Sequence, residues 1–411
     1  MPSAPPAELP RRRELALLAV LATIQFTHIV DFMIVMPLGP QFMRLFGIGP
    51  DAFGALVSAY TFAAAVSGVA AAFVIDRFDR KRALLAIYGG FVCATALCGL
   101  APGFELLLAA RVVAGLFGGV LGALILAIVA DVVPYSRRAR ANALVASAFS
   151  LAAVVGVPLG LWFAAQYTWR APFLVLAATT VVVGVAATRL LPSLTTHLDA
   201  SARRRPIAQL RAIFGVPNHL RAFAFTLSLM FAGFTVIPYI AAYNVANVGL
   251  SEHDITYIYL IGGLGTLVTA QVIGALADRY GKKRVFTIVA VLSVAPLLIT
   301  THLPRLPLAW VLPFSTLFFV LVPGRFGPAM ALISGSAEPR LRGSFMSFNA
   351  AVQQFGAGMS ALVAGIIIGR GQDGALTNYD WVGWLAVGFT LVAIVLARHI
   401  RVVESGVRVA E

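Results

Sequence analysis

Twelve long apolar runs separated by short polar loops leave this chain few folds to adopt. They lie at about 14–37, 52–75, 83–101, 105–132, 142–165, 171–191, 221–244, 255–277, 285–303, 307–334, 344–369 and 381–400. A membrane-crossing helix needs about 20 apolar residues, and each run supplies roughly that. A membrane β-barrel is excluded, because its strands alternate apolar and polar in segments of about ten. The chain is 60% hydrophobic and 12% charged, about half the charge of a soluble domain. That rules out a soluble enzyme, a disordered protein and a disulfide-stapled secreted domain. Cys93 and Cys98 share one run at i, i+5, which sets them on different helix faces, and they are expected as buried free thiols. Arg11-Arg12-Arg13 before the first run resembles a signal-peptide start. The run is too long for one, contains Asp31 and reaches Pro37 without a small-residue cleavage site, so it reads as a retained span.

The net charge of +14 reports topology rather than nucleic-acid binding, since the basic residues sit in short loops between apolar runs. Of the 31 Lys and Arg, twenty-five fall in one set of loops and tails. Only Arg44, Arg170, Arg305 and Arg370 fall in the other set, and Arg111 and Arg325 lie inside runs. This bias places both termini in the cytoplasm, which requires an even number of spans. The expected layout is a tail at 1–13, a six-helix bundle at 14–191, a cytoplasmic linker at 192–220, a second six-helix bundle at 221–400 and a tail at 401–411. The halves repeat: Asp76-Arg77-Phe78-Asp79-Arg80-Lys81-Arg82 after the second run is echoed 202 residues later by Asp278-Arg279-Tyr280-Gly281-Lys282-Lys283-Arg284. Duplicated six-span halves are a transporter signature.

With these residues in place the chain resembles the major facilitator superfamily, in particular its twelve-span drug:proton antiporter and sugar-efflux branches. The loop motif of that family is G-x-x-x-D-R-x-G-R-[KR]. Gly274 to Lys283 fits it with Lys for Arg, whereas the first copy has Ala72 and Asp79 at the glycine positions. Arg111-Val112-Val113-Ala114-Gly115 resembles the R-x-x-Q-G of span four, with Ala114 for the glutamine. Gly156-Val157-Pro158-Leu159-Gly160 resembles a relaxed antiporter motif, closer to that of sugar-efflux permeases. It is read as a helix-packing motif, because Pro removes a backbone donor and Gly allows close approach.

The resemblance implies an all-α membrane fold of two pseudo-symmetric six-helix bundles that alternates access to a central cavity, in a bacterial-type inner membrane. It implies a conformational latch in which Asp76 and Asp278, with Arg77, Arg80, Arg279 and Lys282 around them, face helix N-termini of the opposite half near Ser344 and Asn142. A carboxylate there gains about 0.3–2 kcal/mol from the helix dipole.

Among the 17 acids, Asp31 alone lies deep inside a run, six residues before Pro37. An intramembrane carboxyl group is costly and functional by default, and burial and a nearby arginine push the proton affinity of such a group in opposite directions. Asp31 and Arg111 each lie about 9 Å below the outer surface at 1.5 Å per residue. They are expected to form the proton-coupling pair, with His28 on the same face of span one. Arg325, in Pro323-Gly324-Arg325-Phe326-Gly327-Pro328, fits either an anionic substrate site or a structural cation bonded to carbonyls that the prolines free. Gln25, Tyr60, Tyr239, Tyr243, Asn244, Gln271, Asn349, Gln353 and Gln354 are cavity candidates, and interhelical hydrogen bonding is the plainer role for each. No phosphate-binding loop and no metal-ligand spacing is present. The coupling is therefore expected from a proton gradient, without cofactor or metal. The expected activity is export of a drug-like or sugar-like molecule by proton antiport, by a monomer with no enzymatic chemistry. Import of a nutrient and ligand sensing without transport are the rivals.

Overall fold

The computed structural model describes residues 10–194, 211–338 and 341–403. Twelve helices in it are long and apolar enough to cross a membrane. Spans 1 to 6 are Arg11–Ile34, Pro50–Ala71, Arg80–Leu100, Phe104–Val132, Ser136–Gln166 and Ala171–Leu190. Spans 7 to 12 are Pro217–Val248, Glu252–Tyr280, Lys282–Thr301, Leu308–Gly335, Arg342–Ile367 and Tyr379–His399. The all-α expectation holds but for one two-stranded antiparallel hairpin, Gly369–Arg370 with Leu376–Thr377. Both amide atoms of Asn247, at the end of span 7, bond to the Leu376 backbone at 2.9 Å and hold that hairpin down.

The ends of the spans follow local rules. Pro sits in the first turn of several, where no backbone donor is needed. Span 7 starts at Pro217, inside the stretch expected as linker. Asn218 fixes that start by donating to the Ser336 and Arg401 carbonyls, each at 2.8 Å. The rest of the linker at 195–210 lies outside the described residues. Cys98 is buried and Cys93 exposed, so only one of the two thiols is sequestered as expected. Five residues turn a helix through about 500°, which carries the second position most of the way round.

An even number of antiparallel spans brings both described ends of the chain to one face, here called the terminal face. The two halves do not meet evenly across the molecule. At the opposite face one apolar cluster draws on both halves, joining Phe42, Phe53 and Phe173 to Tyr239, Ile255 and Val382. At the terminal face there are two clusters. One is built within the first half around Leu17, Leu84 and Ile128, and the other around Phe223, Phe286 and Phe345. Val69 and Phe73 of span 2 pack against the second. The halves also touch along spans 2 and 11 and along spans 5 and 8. Close approach of spans 2 and 11 depends on Gly54 and Gly365. A Cβ on either would lie 2.5 Å from the Tyr239 hydroxyl, and one on Gly54 also 2.9 Å from the Ala361 carbonyl oxygen.

The Gly156–Gly160 motif marks a backbone irregularity. Ala152–Gly156 forms a π-helical turn just before Pro158. A proline cannot donate to the preceding turn and its ring crowds it, so a widened turn relieves both faults. A Cβ on Gly156 would collide with Val30 of span 1, and one on Gly263 of span 8 would lie 2.8 Å from the Ala153 carbonyl oxygen. The motif therefore sets the packing of span 5 on its own half and on the other half together.

Candidate functional site

Asp31 is 0% exposed and Arg111 is 1% exposed, yet each carries a charge-bearing side chain inside a span. They meet: Arg111 Nη1 donates to Asp31 Oδ2 at 2.7 Å and to the Asp31 carbonyl oxygen at 3.3 Å. Thr95 of span 3 donates to Asp31 Oδ1 at 3.1 Å. The Arg111 guanidinium carbon lies 4.4 Å from the centre of the Tyr60 ring of span 2. The site thus takes one side chain from each of spans 1 to 4. Pairing, two accepted hydrogen bonds and a cation–π contact together offset the cost of removing two charges from water. Span 4 allows it by being small: a Cβ on Gly115 would collide with the Tyr60 carbonyl, and one on Gly118 with the Tyr60 hydroxyl.

His28 lies on the expected side of span 1, but among the described residues its side chain has no hydrogen-bond partner. Its ring sits between Tyr60 at 6.4 Å and Phe91 at 6.0 Å, centre to centre. Both its nitrogens, the Tyr60 hydroxyl and the Gln25 Oε1 are buried without a hydrogen-bond partner. Thr95 escaped sequence reasoning. Its only signal was a lone hydroxyl midway along an apolar run, and threonine more often bonds its own helix.

The other sequence candidates are dispersed. Tyr239 serves the joint between the halves: its hydroxyl donates to the Ala361 carbonyl at 2.9 Å and is 3.1 Å from the Pro50 carbonyl. Tyr243 donates to the Leu303 carbonyl at 3.0 Å. Asn349 accepts from Thr226 at 2.6 Å. Asn244 is buried with neither amide atom bonded. Gln353 and Gln354 are half-buried and Gln271 is exposed on span 8, so these nine residues do not form one cavity wall.

Arg325 is 0% exposed and pairs with no carboxylate among the described residues. It donates to the Ala232 carbonyl at 2.7 Å, to Thr390 at 3.0 Å and to Ser293 at 3.2 Å. The freed carbonyl belongs to span 7, not to the proline-broken turns beside Arg325. In a regular helix Ala232 would accept from the Val236 N–H, but that donor is turned to Gly233 at 3.1 Å, where span 7 tightens before Pro238. A cation at the end of that helical segment also suits its dipole.

Only part of the expected latch falls among the described side chains. The Asp76 side chain lies outside the described ones. Asp278 is exposed and makes no hydrogen bond or ion pair among the described residues, and Asn142 Oδ1 is without a partner. Arg279 leans on Tyr280 at 5.3 Å, and Arg77 and Lys282 are exposed. Arg80 is buried and pairs with Asp131 inside the first half. At the opposite face Arg44 of one half pairs with Glu252 of the other.

Asp79, where the family motif has glycine, caps span 3 through Lys81 N–H at 2.8 Å. It also accepts from Ser193 Oγ at 2.6 Å and Leu194 N–H at 3.1 Å, tying down the chain after span 6. Partial burial pushes its proton affinity up, but these three bonds and the Arg82 charge outweigh that and hold it below the usual carboxylate range. A carboxyl group lowered by folding stabilises above its unfolded value and loses that stabilisation as pH falls through the folded one. Asp79→Asn keeps a capping oxygen and removes the charge, so it should cost about 0.3–1 kcal/mol near neutral pH. Its melting temperature should converge on that of the parent as the medium is acidified below pH about 4.

The family model for the Major Facilitator Superfamily matches residues 21–246 and 222–410. In sequence the chain is similar to two proteins of Bacillus subtilis (strain 168). The uncharacterized MFS-type transporter YceJ is 24% identical over 358 residues, 87% of this chain and 90% of that one. The uncharacterized MFS-type transporter YbcL is 25% identical over 388 residues, 92% and 94%. In structure it is similar to the nucleoside transporter NupG, with a TM-score of 0.74 at 14% identity over 94% and 99% of the two chains. A D-xylose-proton symporter has a TM-score of 0.70 at 16% identity over 92% and 96%. Twelve spans in two halves, the repeated loop motif and a family match across nearly the whole length lead to one assignment: the chain is a membrane transporter that belongs to the Major Facilitator Superfamily.

Proposed function

We propose that this transporter exports a small, partly apolar organic molecule from the cytoplasm by proton antiport, with the terminal face cytoplasmic. The observation that carries the reading is the buried Asp31–Arg111 pair at 2.7 Å. Protonating Asp31 removes its charge, frees the guanidinium and leaves the first half with a different charge balance. A ligand shifts a two-state equilibrium only by its differential affinity for the states. A proton that breaks this pair meets that condition, and so does a substrate that competes for either partner. Support for export comes from the resemblance of the span 5 motif to those of antiporters and sugar-efflux permeases, with Gly156 packed against Val30 of span 1. The basic loops of the terminal face support a cytoplasmic placement for it. The fold houses symporters as well, and the sign of coupling separates the two.

The test uses inside-out vesicles containing the protein, with an acidic lumen. Adding lipophilic cations, sugars and amphipathic acids in turn should identify a compound that triggers proton release from the lumen. Proton movement in the same direction as the compound would overturn antiport in favour of symport.

A further inference from the structure

The four unbonded polar atoms beside the Asp31–Arg111 pair share a direction. Span 1 runs from the terminal face at Arg11 to the opposite face at Ile34. His28 and Gln25 therefore lie about 4.5 and 9 Å from Asp31 toward the terminal face, at 1.5 Å per residue. Burial relaxes along the same line: Asp31 is 0% exposed, while His28 and Gln25 are half-buried. Span 4 runs antiparallel beside them. A Cβ on Gly118 would lie 3.1 Å from His28 Cδ2, and one on Gly122 would lie 3.8 Å from Gln25 Oε1. Buried polar atoms in native proteins are bonded to protein or to water. Here Gln25 Oε1, both His28 nitrogens and the Tyr60 hydroxyl have no protein partner.

We infer that this file carries the proton of Asp31 toward the terminal face, through His28 and then Gln25 with water between them. The inference rests on the proton-coupled reading above and adds the route. The Asp31 O–H bond breaks as the carboxylate re-forms its ion pair with Arg111. One imidazole nitrogen of His28 takes up the proton, and the other nitrogen releases one to water held by Gln25 Oε1. No electron changes hands. Groups of three spans face His28. Arg111 of span 4, held over the Tyr60 ring, is the cation of this set. Tyr60 of span 2 offers a hydroxyl, and Phe91 of span 3 an uncharged ring. Tyr88 of span 3 is engaged with Thr27 at 3.0 Å. Asp31 supplies the only carboxylate in this set.

The test follows the carboxyl infrared band of Asp31, assigned by difference against Asp31→Asn, in the full chain held in lipid nanodiscs after a rapid pH jump. His28→Phe should slow deprotonation by about 100-fold, the lower end of what a positioned proton carrier contributes. The final band amplitude should match that of the parent. Gln25→Leu should slow it as well, and it provides the measurement if His28→Phe fails to fold. Parental rates in both variants, with substrate-triggered proton release intact, would overturn the route alone. Absence of any pH-dependent Asp31 band in the parent would overturn the route and the proton-coupled reading together.

Discussion

Asp31→Asn is expected to reduce transport driven by a pH gradient to the level of empty vesicles, while the protein still folds and still binds its substrate. The asparagine amide is nearly isosteric with the carboxyl group and keeps an oxygen for Arg111 Nη1 and another polar atom for Thr95. What it loses is the titrating proton. Substrate should then exchange down its own gradient without moving protons. Substrate-triggered proton release surviving in this variant would move proton coupling to another group. The comparison also separates coupling from occupancy, because a purely structural role for Asp31 would lower protein yield rather than uncouple the two fluxes.

Arg111→Leu is expected to destabilise the fold by about 3–5 kcal/mol, the cost of leaving one charge of a buried pair without its partner. Asp31 would then sit beside the Tyr60 ring with only Thr95 donating to it. Joint replacement, Asp31→Leu with Arg111→Leu, should recover most of that loss, because no buried charge remains and apolar side chains of similar volume can fill the site. Thermal melting of the purified single and double variants reads the difference. Equal melting temperatures for the parent and the single variant would mean that the pair contributes little to holding spans 1 and 4 together.

The same residues show how far sequence reasoning reaches. Asp31 and Arg111 stand out in the sequence because charges inside apolar runs are costly, and counting 1.5 Å per residue sets them at matching depths. Their placement on facing sides of spans 1 and 4, with Thr95 and Tyr60 completing the site, follows from helix rotation and packing, which depth does not specify. Arg325 shows the same limit. Its burial and its proline-rich setting are plain in the sequence, but the carbonyl it binds is on span 7, freed by a local tightening of that helix. The polar cavity candidates are the weakest case. Tyr239 and Tyr243 qualify by residue type alone, and their hydroxyls are spent on backbone carbonyls.

The sequence by itself determined the twelve spans, the duplicated halves and the bias of positive loops. Those properties depend on local quantities: run length, hydropathy and charge count over about 20 residues. The tertiary structure alone decided which face the halves close on. That choice depends on contacts between residues about 200 positions apart, such as Arg44 with Glu252 and Tyr239 with Pro50. It also decided that Asp278 has no partner among the described residues while Arg80 is taken by Asp131. Such contacts join residues far apart in the chain, and only the folded state shows which of them are made.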